Sequence, residues 1–172
     1  MNRRRSAIGG SFIVHSREMR SSPAWRHLPD NGRRLLCVLE EEHMDHGGAD
    51  NGRLPCTYSD FVTRGPLRRA SISFAVRQCV ELGFVEVTYK GGRAISEVRK
   101  PSLYRLTYVI GRGRSSPPTH DWRHIKTDEE ARAAVARAAA RRNYDTQPLN
   151  KLKNTGLKEE PGAGRTIESE AA

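Results

Sequence analysis

Apolar residues recur at helical spacing in two long stretches of the chain, residues 30–44 and 68–82. A spacing of three to four residues puts side chains on one face of an α-helix, so both stretches are predicted to be amphipathic helices. Asp30 or Asn31 can cap the first helix, and Gly83 suits the end of the second. The first stripe consists of Leu35, Leu36, Leu39 and His43 or Met44, and the second of Ile72, Ala75, Val76, Cys79, Val80 and Leu82.

Capping signals predict two shorter helices. In "SSPAW", Ser22 can be an N-cap with Pro23 at the first helical position. Thr57 with an aspartate three residues later approximates a capping box for a helix over residues 58–64. Phe61 and Val62 form its predicted buried side, and the sequence Gly-Pro at 65–66 ends it.

Alternating apolar and polar residues predict strands. Phe12 and Val14 indicate a short strand near the start, and residues 53–56 indicate another. A hairpin is predicted from two further alternating runs, with a long basic tip between them. Its buried faces consist of Val85, Val87 and Tyr89 on one strand and Tyr104, Leu106 and Tyr108 on the other.

The C-terminal part of the chain has a different character. Residues 111–126 form a Gly/Pro-rich linker in which Trp122 is predicted to anchor the segment to the core. Residues 127–142 predict a helix, begun by a capping box of Thr127 and Glu130, whose apolar residues are almost all alanine. Such a helix could pack weakly on the domain, self-associate or lie along phosphates. Residues 143–172 contain few apolar residues and are predicted to be disordered.

The net charge of +10 points to a polyanionic partner, with nucleic acid first. The last thirty residues hold four basic and five acidic side chains, so the positive charge belongs to the rest of the chain. Residues 1–11 are predicted to be a flexible basic arm, and residues 12–110 the folded domain. No stretch has the roughly 20 apolar residues of a membrane helix, so we expect a cytoplasmic protein that makes no membrane contact.

The three cysteines, Cys37, Cys56 and Cys79, are too widely spaced for a zinc motif and are odd in number, so no disulfide framework is predicted. Cys37 and Cys79 fall in apolar helical segments and are expected to behave as small hydrophobic residues. We predict no cofactor, no metal and no small-molecule ligand.

The order of these elements predicts an α+β fold, a winged helix-turn-helix with a three-helix core and a β-hairpin wing. In such proteins the second helix of the pair enters the DNA major groove, and the wing contacts the flanking backbone. The helix over residues 68–82 keeps polar side chains away from its apolar stripe, and Ser73 and Arg77 are the predicted base readers. The full set of predicted DNA-binding residues is Arg68, Arg69, Ser71, Ser73, Arg77, Lys90, Arg93, Arg99 and Lys100.

Three segments carry a resemblance: "SPAWRHLPDNGRRLLCVLEEEHMDHGG", "NGRLPCTYSDFVTRGPLRRASISFAVRQCVELGFVEV" and "RKPSLYRLTY". They resemble winged helix-turn-helix proteins of bacterial genomes, plasmids and prophages over roughly residues 12–125. The resemblance implies a DNA-binding regulator or a replication-associated protein of a mobile element. We expect the protein to have no catalytic activity. Cys79 and Val80 stand where larger apolar residues are common in those proteins.

Several alternatives stay open. One is a module that docks a protein or RNA through the winged helix, which apolar residues such as Phe74 on the outer face would favour. A homodimer is compatible with DNA binding. His43 with His46 could hold a metal ion, and His120 with Asp121 could serve a nuclease, but neither has a third ligand or a nucleophile motif at a fixed spacing. The basic segment 111–118 could enter a minor groove or be a linker.

Overall fold

A computed structural model describes residues 10–91, 100–110 and 117–145, and there the chain has an α+β fold. Within these residues, six α-helices accompany a three-stranded antiparallel sheet with strand order β1-β3-β2. The helices are α1 (Arg17–Ser21), α2 (Pro23–Arg26), α3 (Asp30–Asp45), α4 (Tyr58–Thr63), α5 (Arg69–Glu81) and α6 (Asp128–Asp145). The strands are β1 (Leu54–Cys56), β2 (Val85–Tyr89) and β3 (Ser102–Leu106), and a 3₁₀ helix spans Asp121–His124.

Side-chain caps begin three of the helices as the sequence predicts. Ser22 accepts a hydrogen bond from the Trp25 amide at 3.2 Å and starts α2. Thr57 and Asp60 form a reciprocal capping box on α4, with contacts of 3.3 and 2.7 Å. Thr127 and Glu130 exchange the same pair of bonds at the start of α6, each 3.2 Å long. Each cap satisfies amide groups that have no partner within their helix, so these boundaries are set locally.

The core lies between α3, α5 and the sheet, and both predicted apolar stripes face it. Phe84, three residues beyond α5, packs edge to face against Trp25 at 5.7 Å and Tyr108 at 6.2 Å between ring centroids. The fully buried aliphatic side chains include Leu35, Leu36, Val38, Leu39, Leu54, Ile72, Leu82 and Leu106.

One buried carboxylate connects the start of the described chain to this core. Glu40 on α3 accepts a hydrogen bond from the Tyr108 hydroxyl, and its Oε1 atom lies 2.6 Å from Nε2 of His15. Burial, reinforced by the neighbouring Glu40, raises the pKa of Tyr108 well above its ordinary value. Tyr108 therefore stays protonated and donates to the carboxylate.

Close backbone approaches require glycine at both ends of the hairpin region. Gly83 ends α5 with a φ of +77°, and a Cβ there would lie 2.6 Å from backbone atoms of Asp121 and Trp122. At Gly91, beyond β2, a Cβ would lie 2.5 Å from the carbonyl oxygen of Lys100. The first glycine lets α5 turn directly into β2, and the second lets the two strands of the hairpin converge.

Helix α6 packs against α5 and α2, as in the first of the three alternatives considered for it. Ala131, Ala134 and Ala138 are fully buried on this face. At its beginning, Asp128 accepts hydrogen bonds from Arg26 at 2.9 Å and His27 at 3.0 Å. The alanine face buries little area per residue, but it allows the helices to approach closely. Trp122 is buried in the same core, which confirms its predicted role as an anchor.

The N-terminal segment differs from the prediction. Residues 11–16 form no strand, and Phe12 and Val14 are 50% and 70% exposed, because no neighbouring strand pairs with them in the described structure. Instead, Ser16 accepts from the Met19 amide at 3.1 Å and begins α1, which the sequence analysis missed.

Four smaller predictions are also wrong. Tyr89, predicted on the buried face of the hairpin, is 45% exposed. Helix α3 has Pro29 at its N-cap, so Asp30 lies inside the first turn and neither it nor Asn31 is the cap. Val62 is exposed because α4 buries only the side that carries Phe61. Cys37 lies on the exposed side of α3, whereas Cys79 is buried as expected. No helix in the described part of the chain combines the length and the apolar character needed to cross a membrane.

Candidate functional site

The turn between α4 and α5 is held from both sides. Arg64 bonds three carboxylates on α3, at 3.3 Å to Glu41, 2.6 Å to Glu42 and 3.1 Å to Asp45. On the inner side, Leu67 is buried and its amide donates to the Phe61 carbonyl at 3.2 Å. The charge of Arg64 is thus neutralised by carboxylates of α3. These contacts also fix the position of the chain just before α5.

The N-terminal end of α5 is exposed and cationic. Arg68, Arg69 and Ala70 are all exposed. Among the described residues of this first turn there is no acidic side chain, and Arg68 at the N-cap makes no side-chain hydrogen bond to the helix. The first amides of a helix lack partners within it and carry a partial positive charge. This end therefore combines the positive end of the helix dipole with two guanidinium groups.

An aromatic ring on α4 orients one of these arginines. The guanidinium carbon of Arg69 lies 5.6 Å from the centroid of the Tyr58 ring, within the range of a cation–π contact. Tyr58 is itself 38% exposed. Tyr58 was not predicted as a site residue: the Thr57 cap places it at the start of α4, and its contact with Arg69 arises from the packing of α4 against α5.

The two serines predicted to bind DNA are less exposed than Arg68 and Arg69. Ser71 and Ser73 are half-buried, and the Ser71 amide donates to the Arg68 carbonyl at 2.8 Å. At 100° per residue, Ser73 lies about 40° from Arg69 around the helix, so the two residues share a side of α5.

The structure corrects the expectation that Arg77 faces solvent on an open helix. Its Nε atom donates to the carbonyl oxygen of Ala138 on α6 at 3.2 Å. Its guanidinium carbon lies 5.9 Å from the Phe74 ring centroid, and both side chains are half-buried. Because α6 packs here, Arg77 connects two helices of the fold. Phe74 accordingly does not form an open apolar patch on the outer face.

The predicted hairpin residues are only partly described. Lys90 and Lys100 are exposed where the two strands approach each other beside Gly91. Arg93 and Arg99 lie outside the described residues, as does most of the basic segment 111–118. The structure therefore places two of the four predicted hairpin cations.

A second pair of arginines was not singled out from the sequence. Arg137 Nε and Arg141 on α6 contact the two carboxylate oxygens of Glu81 at 2.9 and 3.1 Å. Glu81 is the last residue of α5, and its side chain is only 12% exposed, whereas those of Arg137 and Arg141 are 58% and 67% exposed. Their i, i+4 spacing in an alanine-rich helix is the signal that could have indicated them.

In the described part of the chain, no three His, Cys, Asp or Glu side chains, including those at the alternative histidine sites, are grouped to hold a metal ion. His43 is buried on α3, and burial, with a smaller contribution from His46, lowers its pKa. His120 is half-buried, and its ring packs edge to face on Trp122 at 6.0 Å.

No protein-family model matches this chain, and no curated protein or solved structure matches it significantly.

Proposed function

We propose that this protein binds double-stranded DNA in a sequence-specific manner through a winged helix-turn-helix. Helices α4 and α5 are the helix-turn-helix pair, and β2 and β3 with the chain between them are the wing. The biological role would be transcriptional regulation or replication of a mobile element, in the cytoplasm.

The observation that carries the proposal is the N-terminal end of α5. It presents two exposed arginines and the positive end of the helix dipole, without an acidic residue or a side-chain cap in the described turn. By contrast, α3 also lacks a side-chain cap but begins with Asp30. An exposed, cationic, uncapped helix end favours anions such as phosphate groups. In a chain of net charge +10, nucleic acid fits this surface best.

The geometry favours base reading by the first half of α5. Recognition helices contact base edges chiefly through their N-terminal residues, and a major groove about 12 Å wide admits one helix. Arg68 and Arg69 can pair with guanine or with phosphate, and Ser73 can reach a base or a phosphate. Arg77 is left out of the proposed readers because it bonds to α6.

The hairpin supplies the proposed flanking contacts. Lys90 and Lys100 are exposed at its described ends, where lysines can bind phosphates without reading sequence. Arg93 and Arg99 belong to the same proposal on sequence grounds alone.

The proposal is tested by selecting bound sites from a random duplex pool and titrating the selected duplex over a series of salt concentrations. We expect log affinity to fall linearly with log salt, with a slope near −0.9 for each phosphate contact. Duplex DNA should outcompete single-stranded DNA and structured RNA. A palindromic product would also indicate a two-fold dimer through its half-site spacing.

Arg69→Gln is the matched variant, with Arg123→Gln as its control. Arg123 is exposed like Arg69, but it pairs with Glu18 away from α5. We expect Arg69→Gln to lose about 1–3 kcal/mol of discrimination if it reads a guanine, and Arg123→Gln to bind like the wild type. Equal binding by both variants would overturn the assignment. Preference for structured RNA, or selection of no sequence, would favour the alternative of a module that docks RNA or a protein.

A further inference from the structure

Helix α6 is an integral part of the fold beside α5. Its alanine face is fully buried, its first turn bonds α2 through Asp128, and its carbonyl at Ala138 bonds Arg77. Removal of α6 would expose the core residues against which Ala131 and Ala134 pack. The exposed side chains of α6 that lie beside α5 therefore form one continuous surface with those of α5.

Two arginines on this side are fixed in place by a single carboxylate. Glu81 offers one oxygen to Arg137 and the other to Arg141. A guanidinium has five N–H donors, so one such contact leaves most donors of each arginine available to an anion. Two cations share this one carboxylate, so the cluster of Glu81, Arg137 and Arg141 has a net charge of +1.

The position of this pair suits a backbone contact beside the groove. Twelve residues separate Arg69 from Glu81, which corresponds to roughly 18 Å along the helix axis at 1.5 Å per residue. This length exceeds the major-groove width of about 12 Å. When α5 lies across the groove with its first half inside, its last turn therefore reaches the level of the bordering sugar-phosphate backbone.

We propose that Arg137 and Arg141, positioned by Glu81, bind a backbone phosphate of the same duplex whose bases α5 reads. The inference rests on the proposed function, and it adds a second, sequence-independent contact surface on α6. Arg77 then has a positioning role, because its bond to Ala138 fixes α6, and with it the arginine pair, relative to α5.

The test measures the salt dependence of binding to the selected duplex for the double variant Arg137→Gln/Arg141→Gln. We expect the slope of log affinity against log salt to become shallower by about 0.9, the value for one lost phosphate contact. The ranking of selected sequences should not change, because phosphate contacts carry no base information.

Two matched variants complete the experiment. Arg132→Gln removes an equally exposed arginine of the same helix, which pairs with Glu129 and lies about 140–180° around α6 from the pair. It should keep the wild-type slope. Arg137→Lys/Arg141→Lys retains both charges and should restore most of the slope, and circular dichroism should show that every variant is folded.

The outcomes separate this inference from the proposed function. If the wild type binds with a clear salt slope and the double glutamine variant keeps it, the inference fails and the proposed function stands. If the wild type shows no salt-dependent preference for duplex DNA, the proposed function fails, and the inference fails with it. A slope reduced equally by Arg132→Gln would also contradict the inference, because it would indicate a diffuse charge effect.

Discussion

The two halves of α5 share one apolar stripe but differ on the opposite side. In the first half, Arg68 and Arg69 are exposed, and the helix end is left without a side-chain cap. In the second half, Arg77 bonds to α6 and Glu81 pairs with two of its arginines. Arg69 and Arg77, about 80° apart around the same helix, thus have different surroundings. An outward-facing cation indicates an interface only when no other element of the fold packs over it.

The largest expected effect comes from removing a core side chain at the C-terminal end of α5. Leu82, fully buried just after α5, should cost about 2–5 kcal/mol of unfolding free energy when replaced by alanine. Ser73 is half-buried in the first half of α5, and Ser73→Ala should change the free energy of unfolding by less than about 0.5 kcal/mol. Urea unfolding of both variants measures the difference, and similar losses would contradict the burial of Leu82 in the core.

Overpacking the contact between α5 and α6 should have the next largest effect. Ala138 is fully buried, so Ala138→Leu should destabilise the fold by about 1–3 kcal/mol. Ala139, the next residue, is exposed, and Ala139→Leu should be nearly neutral. Thermal unfolding of the pair checks this, and a neutral Ala138→Leu would show that α6 does not pack closely on α5.

A new cap on α5 should separate stability from binding. Arg68 has the extended backbone of an N-cap residue (φ −68°, ψ 130°), so Arg68→Asp should stabilise the helix by about 0.5–2 kcal/mol. The same change puts a negative charge at the proposed anion site and should weaken DNA binding strongly. Arg68→Ser should give a similar cap with a smaller loss of affinity. A capped variant that binds DNA as well as the wild type would contradict the proposed site.

The smallest expected effect is a pH dependence of the free energy of unfolding, which does not involve the arginine contacts. Because burial lowers the pKa of His43 in the folded state, the unfolded chain binds more protons as the pH falls through about 6.5. The contribution of His43 to stability is present above that pH and decreases below it. Urea unfolding at pH 7.5 and 5.5 should show a smaller pH dependence in His43→Gln than in the wild type. An unchanged dependence would contradict the role of His43.

Local signals in the sequence predict much of the secondary structure. The caps at Ser22, Thr57 and Thr127 are correct because each bonds an amide only three residues away. Gly83 is also correct, since a left-handed residue is required where α5 ends. The strand predicted at Phe12 and Val14 is wrong because a strand depends on a partner that a local pattern does not specify.

The candidate site was only partly predictable, for a related reason. Arg68 and Arg69 could be predicted because they lie at the N-terminal end of the amphipathic pattern over residues 68–82. The contact of Arg77 depends on α6, which lies about sixty residues later and whose alanines give little hydrophobic signal. Glu40 similarly belongs to a run of three glutamates that suggests solvent exposure, yet it is buried against Tyr108. Such contacts arise from tertiary packing.

Backbone amide chemical shifts, followed by NMR while the selected duplex is added, test the central claim most directly. The account predicts that the largest changes fall at Tyr58 and at residues 68–73, with further changes at Lys90 and Lys100. Unchanged signals from residues 68–73, in the presence of bound duplex, would contradict it.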